Sequence, residues 1–91
     1  MDKHIVKRAG HKEPYDDRKV YGSCYAACLN VHIKDKEEAE RICGEVTAEV
    51  NQWVENTAEF SSDEIFKKVT EALGKRNKDA GFMYQTHRDI S

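Results

Sequence analysis

The sequence predicts a mostly helical α+β fold, a four-helix bundle capped by a small N-terminal β-hairpin or three-stranded sheet. Beyond residue 17, apolar residues recur at the three- and four-residue spacing of helices. Before it, strand-forming residues flank a glycine turn. Ninety-one residues suffice for one domain and leave no room for two. We therefore predict a single domain over 1–91, with a hairpin lid over 3–15 and a helical bundle over 17–91.

The first fifteen residues differ in kind from the rest of the chain. The segment His4–Lys7 favours a short strand, and Ala9-Gly10 favours a turn. Residues 12–15 can return as a second strand that ends at Pro14. This order of signals predicts a hairpin.

Two helices are predicted next. Asp16 or Asp17 can cap the first, whose apolar positions are Val20, Cys24, Ala27, Cys28 and Val31. The second begins around Asp35 and runs to about Glu55, with the clearest amphipathic pattern in the chain. Its apolar face contains Ala39, Ile42, Cys43, Val46, Val50, Trp53 and Val54. We interpret the last two of these as core rather than as a partner surface.

The second half of the chain predicts two more helices. Ser61 is followed three residues later by Glu64, which has the form of a capping box, so Ser61 or Ser62 is the cap. Gly74 is expected to stop this third helix. Its apolar positions are Ile65, Phe66, Val69, Ala72 and Leu73. A short last helix is predicted from about Asp79, carrying Phe82, Met83 and Tyr84.

Composition excludes several functional classes. No run of 18 apolar residues exists, and the N-terminus lacks the apolar segment of a signal peptide, so we expect a cytoplasmic protein without membrane contact. A net charge of −2 gives no general attraction to nucleic acid. Serine nucleophiles, paired catalytic carboxylates and Walker-type glycine loops are not evident. The sequence therefore indicates no enzyme and no catalytic residue.

Basic charge is concentrated near the N-terminus, where an anion site is expected. Lys7 and Arg8 would point to opposite faces of a regular strand, but Gly10 permits a bend that brings both to one ligand. Lys19 falls in the first turn of a helix, where a cation costs roughly 0.3–1 kcal/mol unless a bound anion reverses the sign. The alternative is that all three are ordinary solvated charges.

Three motifs carry a resemblance to a known family. They are Val6-Lys7-Arg8-Ala9-Gly10, Glu13-Pro14-Tyr15-Asp16 and Lys19-Val20. Together they resemble the opening signature of the ATP-cone domain, known from the N-terminus of ribonucleotide reductases and from the bacterial repressor of reductase genes. The segments 61–65 and 84–88 resemble later parts of the family pattern, so the resemblance covers most of the chain.

The resemblance implies an adenine-nucleotide site. Its residues would be Ile5, Lys7, Arg8, Glu13, Lys19, Ser62, Phe66 and Arg88. Lys7, Arg8 and Lys19 would hold the phosphates, which Arg88 would also reach. The ligand would be ATP or dATP with Mg²⁺.

The remaining residues would bind base and sugar. Ile5 would pack on the base, Glu13 would accept a hydrogen bond from the adenine amino group or a nearby polar position, and Ser62 would lie near the sugar and phosphates. Two positions depart from the family. Ala9 replaces an acid, and Phe66 stands where many members place a polar residue near the ribose. Loss of that contact would loosen discrimination between ATP and dATP, or leave binding weak. The alternative is that Phe66 is a plain core residue.

The resemblance implies a free-standing regulatory domain that senses nucleotide and alters oligomerisation or contacts with a ribonucleotide reductase-type partner. No pair of C-x2-C motifs is present, so direct nucleic-acid binding like that of the repressor is not expected. The alternative function is a non-catalytic protein-interaction module that has lost tight nucleotide binding. The chain can also be a piece excised from a longer protein.

Cysteines form the other candidate constellation. Cys24, Cys28 and His32 share one helical face at spacings of four, with Cys43 on the next helix. Such ligands can hold zinc, but a free cysteine commonly behaves as a small buried hydrophobe. We expect the three thiols to be reduced and buried, with no metal.

Overall fold

Four helices make up most of the described chain, in agreement with the predicted bundle. The computed structural model describes residues 4–6, 12–31, 33 and 35–86, with side chains from Pro14 onward. The elements in these ranges are β1 (His4–Val6), β2 (Lys12–Pro14), α1 (Asp17–Leu29), α2 (Lys36–Glu55), β3 (Phe60–Ser61), α3 (Ser62–Arg76) and α4 (Lys78–Thr86). Among the described residues, no helix has the length and apolar character that crossing a membrane requires.

The helices pack in a ring around one core. α1 packs on α2, α2 on α3, α3 on α4, and α4 returns to α1. The buried residues are Val20, Cys24, Ala27, Cys28, Ala39, Ile42, Cys43, Val46, Val50, Val54, Phe60, Ile65, Val69, Ala72, Leu73 and Ala80. They include most of the predicted apolar positions. Val31 and Trp53 are partly buried and pack against this core, so Trp53 belongs to the core side as predicted.

The helix starts follow from local side-chain chemistry. Asp16 and Asp35 cap α1 and α2, each accepting a hydrogen bond at 3.0 Å from the backbone amide two residues later. Ser61 caps α3, since its Oγ accepts from the Glu64 amide at 3.2 Å and Glu64 Oε1 accepts from the Ser61 amide at 3.1 Å. The capping box is therefore confirmed, and the cap is Ser61 rather than Ser62.

The prediction that Gly74 ends the third helix is wrong, because α3 continues to Arg76. Gly74 instead lies where α3 and α4 approach most closely. A Cβ added at Gly81 would lie 2.7 Å from Gly74 Cα and 2.9 Å from Gly74 N. The break comes at Asn77, whose extended backbone ends α3 and whose Oδ1 accepts from the Ala80 amide at 2.9 Å in the first turn of α4.

Replacing Gly81 by alanine is expected to destabilise the domain by about 1–3 kcal/mol, because the new methyl group overlaps backbone that cannot rotate away. Gly44→Ala in α2 is the matched control, since a Cβ there meets nothing within 4 Å and should stabilise the helix by about 0.5–1 kcal/mol. Urea unfolding of both variants measures the difference. A Gly81→Ala variant as stable as Gly44→Ala would contradict the close approach.

Three short strands form one sheet. β1 lies between β2 and β3, antiparallel to β2 and parallel to β3. In this register Ile5 is opposite both Glu13 and Phe60, and Val6 is opposite Ser61. The connection from β1 to β2, with the expected turn at Gly10, lies outside the described residues. The hairpin lid therefore stays a prediction.

Ion pairs tie α2 to α3. Glu49 accepts from Lys75 Nζ at 2.9 Å and from an Arg76 guanidinium nitrogen at 3.1 Å, while Glu45 pairs with the same arginine at 3.1 Å. The hydrogen bond from Lys75 is the largest of the effects that lower the pKa of Glu49 below its ordinary value. These pairs link α2 to the last turn of α3.

Candidate functional site

Two strands and a helix start meet at one sheet edge. β1 and β3 run parallel, with Val6 opposite Ser61, so both strands end at the same edge. From β3 the chain enters α3 directly, with Ser62 as its first residue. From β1 it continues in sequence to Lys7 and Arg8. The register therefore places Val6, which precedes Lys7 and Arg8, beside Ser61, which precedes Ser62.

The two predicted base-binding positions are neighbours in the register. Ile5 lies in the central strand and is opposite Glu13 of β2. On its other side Ile5 is opposite Phe60 of β3. The backbone therefore brings together two positions that are eight residues apart in sequence.

Phe60 fixes this sheet to the bundle. Its side chain is only 1% exposed. The Tyr15 ring meets it edge-on with centroids 6.1 Å apart, and the Trp53 ring lies 5.6 Å away at a tilt. Because Trp53 belongs to α2, these aromatic contacts join the strands to the core of the domain.

A polar contact holds the start of α1 against α2. Tyr15 donates its hydroxyl hydrogen to Asn51 Oδ1 at 2.7 Å, and Asn51 Nδ2 donates to Asp17 Oδ2 at 3.2 Å. Burial, followed by the charges of Asp17 and Asp16, raises the pKa of Tyr15 to about 12, so its hydroxyl remains a donor at neutral pH. Asn51 has no local sequence signal, since a polar residue inside α2 does not reveal a partner 36 positions away.

Lys19 lies in the first turn of α1 and is exposed. It makes no hydrogen bond or ion pair through its side chain to any of the described side chains. Arg18 behaves differently, because its guanidinium contacts both oxygens of Asp16 at 3.1 and 3.2 Å. That hydrogen bond lowers the pKa of Asp16. Arg18 is therefore hydrogen-bonded to Asp16, whereas Lys19 acts on the same carboxylate through its charge alone.

Lys19 and Ser62 belong to opposite ends of the sheet. β2 is antiparallel to β1, with Pro14 opposite His4, so the chain leaves β2 at the edge away from Ser61. From there it enters α1. A ligand held by both residues would therefore have to extend across the sheet, a separation that no local sequence pattern indicates.

A cleft of about 510 Å³ lies beside the α1 start. It is lined by Pro14, Tyr15, Asp16, Asp17, Arg18, Asn51 and Glu55. Three of these side chains are carboxylates, and the one cation among them is already paired with Asp16. Such a surface repels phosphate, so this cleft itself does not suit a triphosphate.

Ser62 and Phe66 lie one turn apart on α3 and differ in environment. Ser62 is exposed, while the half-buried Phe66 ring stacks on Tyr84 with centroids 5.3 Å apart. The Tyr84 hydroxyl lies 3.1 Å from Ser23 Oγ. Phe66 thus takes part in a chain of contacts that joins α3 to α4 and α1, in addition to any contact with a ligand.

Several predicted site residues cannot be placed. Lys7, Arg8 and Arg88 lie outside the described residues, and Ile5 and Glu13 are described by their backbone alone. Their roles stay predictions.

The cysteines are placed clearly. Cys24, Cys28 and Cys43 are free thiols with fully buried side chains, so the predicted burial is confirmed. His32, the fourth member of the sequence constellation, lies outside the described residues.

Comparison with known protein families identifies the class of this domain. The model of the ATP cone domain matches residues 3–80 of the 91-residue chain. The chain therefore belongs to the ATP-cone family, whose members are generally nucleotide-binding regulatory domains rather than catalytic ones and bind adenine nucleotides. A search of the curated proteins finds no match.

Proposed function

We propose that this domain binds ATP or dATP, accompanied by Mg²⁺, at the sheet edge where β1 and β3 end, and that binding changes its contacts with other proteins. The observation that carries the proposal is the pairing of Val6 with Ser61, which starts the segments containing Lys7, Arg8 and Ser62 from one place. Membership of a nucleotide-binding family supports the same ligand.

The phosphates are the strongest part of the proposed interaction. Lys7 and Arg8 bind one end of the triphosphate from the end of β1, and Lys19 binds its other end from the start of α1, so the phosphates extend across the sheet. Arg88 is the fourth candidate. Each charge-assisted hydrogen bond is expected to contribute about 1.5–3 kcal/mol. Mg²⁺ would bind as a complex with the phosphates, and we propose no side chain of the protein as its ligand.

The base and sugar complete the proposed site. Ile5 packs on adenine and Glu13 accepts from its amino group, which suits their opposed positions in the register. The exposed Ser62 reaches the sugar from the start of α3. The predicted hairpin over 3–15 covers the nucleotide as a lid.

Phe66 is proposed to weaken selection between ATP and dATP. A phenyl ring offers no polar group to a ribose hydroxyl, and this ring is already stacked on Tyr84. The two nucleotides differ by that hydroxyl alone. We therefore expect them to bind with similar affinity.

The proposed output is a change of quaternary contacts. Phe66 of α3 stacks on Tyr84 of α4, whose hydroxyl contacts Ser23 of α1. A ligand at Ser62, one turn before Phe66, would change the positions of α4 and α1 through these contacts. The target would be a second copy of the domain or a ribonucleotide reductase-type partner.

One set of observations favours the alternative, a protein-interaction module without tight nucleotide binding. The first turn of α3 already has its own capping box and carries the acidic residues Asp63 and Glu64, which oppose a bound anion. Ala9 also replaces the acid of the family signature.

Calorimetric titration with ATP, dATP, ADP and GTP, each with Mg²⁺, separates the two functions. The sensor is expected to bind the adenine nucleotides and to discriminate against GTP. Sedimentation velocity with saturating ATP then reports any change in assembly. Absence of heat with every nucleotide at millimolar concentration would leave the interaction module as the function.

A further inference from the structure

The three cysteines form a cluster that the nucleotide site does not use. Cys24 and Cys28 lie one turn apart on α1, and Cys43 faces them from α2. The three Sγ atoms lie within 4.8 Å of one another, and those of Cys28 and Cys43 are 3.9 Å apart. Three thiols from two helices therefore converge on one point of the core.

The surroundings decide which ion this cluster can accept. All three side chains are fully buried among apolar residues. Burial, reinforced by the neighbouring Cys43, raises the pKa of Cys28 to about 12, and the pKa of Cys43 is raised as well, first by its hydrogen bond with Cys24. The described residues bring no cation among the buried groups to balance a thiolate. A complex with net charge is therefore disfavoured here.

The soft ions that bind sulfur differ in the net charge of their complexes with three thiolates. Three thiolates around a monovalent copper ion leave a net charge of −2, and around zinc a net charge of −1. Zinc also prefers a fourth ligand. A trivalent ion with three thiolates is neutral, so an apolar core opposes it least.

We propose that Cys24, Cys28 and Cys43 form a three-sulfur binding site for a trivalent soft metalloid of the arsenite or antimonite class. Each S–H gives its proton to one hydroxide of the trihydroxy acid, three sulfur–metalloid bonds replace three oxygen–metalloid bonds, and three waters leave. No electron is transferred. Without the metalloid the thiols remain core residues, so the expectation that they hold no zinc is unchanged.

The observed separations suit this reaction. If bonds from sulfur to the central atom are about 2.3 Å, as for zinc thiolates, the sulfur atoms lie no more than about 4 Å apart. The pair Cys28 and Cys43 already meets this condition at 3.9 Å. The longest separation, at most 4.8 Å, requires a sulfur shift of about 1 Å, within reach of small side-chain and helix adjustments.

The test begins with protein reduced by a phosphine, since a dithiol reductant would compete for the metalloid. Native mass spectrometry after incubation with arsenite is expected to show one arsenic gained and three hydrogens lost. In denaturant, all three thiols of the free protein should react with a thiol reagent, whereas those of the arsenite adduct should not. An adduct that keeps a hydroxyl group would mean two sulfur ligands and would overturn the three-sulfur site.

The melting temperature distinguishes binding of arsenite by the folded cluster from its reaction with the thiols of the unfolded chain. Arsenite should raise the melting temperature if the folded arrangement is the site, and lower it if only the unfolded chain reacts, which would refute the proposal. Equimolar zinc should leave the protein metal-free after desalting, and retained stoichiometric zinc would refute the charge argument.

Variants assign the ligands. Cys43→Ala should weaken arsenite binding by more than about tenfold and give an adduct that retains one hydroxyl. Val46→Ala is the matched control, because it removes buried apolar volume from the same helix and leaves every sulfur in place. If Val46→Ala loses binding as fully as Cys43→Ala, core loosening rather than a lost ligand explains the effect, and the assignment fails.

Discussion

Replacing Lys19 by alanine is expected to weaken ATP binding on the order of tenfold or more without destabilising the free protein. The ammonium group lies in the first turn of α1 and makes no hydrogen bond or ion pair with a described side chain, so among those side chains its removal costs the attraction to exposed Asp16 alone. It also removes a cation from the positive end of a helix dipole. The ligand, in contrast, loses a charge-assisted contact.

Thermal melts of wild type and variant, with and without Mg-ATP, measure this effect. Wild type should gain stability as RT ln(1 + [L]/Kd), and Lys19→Ala should lose most of that gain. Lys36→Ala is the matched control, since Lys36 is also an exposed lysine in the first turn of its helix, at the end of α2 away from Asn51. It should keep the full ATP response.

Two outcomes would contradict this account. Equal loss of the ATP response in Lys36→Ala would mean that net charge alone, rather than a site, attracts the nucleotide. A wild-type melting temperature indifferent to millimolar ATP, dATP and their diphosphates would indicate that Lys7, Arg8 and Lys19 are solvated charges.

Replacing Phe60 by alanine is expected to cost about 3–5 kcal/mol of folding free energy. The ring is 1% exposed and contacts Tyr15 on one side and Trp53 on the other, so its removal leaves a cavity between the strands and α2. A domain of this size has a total stability of roughly 5–14 kcal/mol. The loss would therefore lower the melting temperature by at least about 10 °C.

Phe82→Ala provides the comparison, because that ring is 67% exposed on α4 and its removal should change stability by no more than about 0.5 kcal/mol. Denaturant unfolding of the two variants side by side measures the difference. Equal stability would mean that the strands are not anchored by Phe60. A Phe60→Ala variant that remains folded should also bind ATP more weakly, since β3 leads directly into Ser62 of the proposed site.

Much of this fold was readable from local sequence. Asp16, Asp35 and Ser61 begin the three long helices as their capping chemistry predicts, since a cap bonds to a backbone amide only two or three residues away. The apolar spacing within α2 and α3 likewise predicts which residues are buried, because each turn of a helix repeats the same face toward the core. The basic N-terminal segment and the family signature are also local features, because each lies within one continuous stretch of sequence.

Tertiary structure alone decided how separate segments meet. The parallel pairing of Val6 with Ser61 joins residues 55 positions apart through strands too short to signal a partner, and it is the packing of the helices that brings them together. Gly74 has the residue type of a helix end, yet it lies inside α3, and its backbone leaves no room for a side chain at Gly81 of α4. The thiols of two helices converge on one point for a similar reason. Periodicity specifies which face of a helix is buried, whereas the crossing of the helices determines which buried atoms touch.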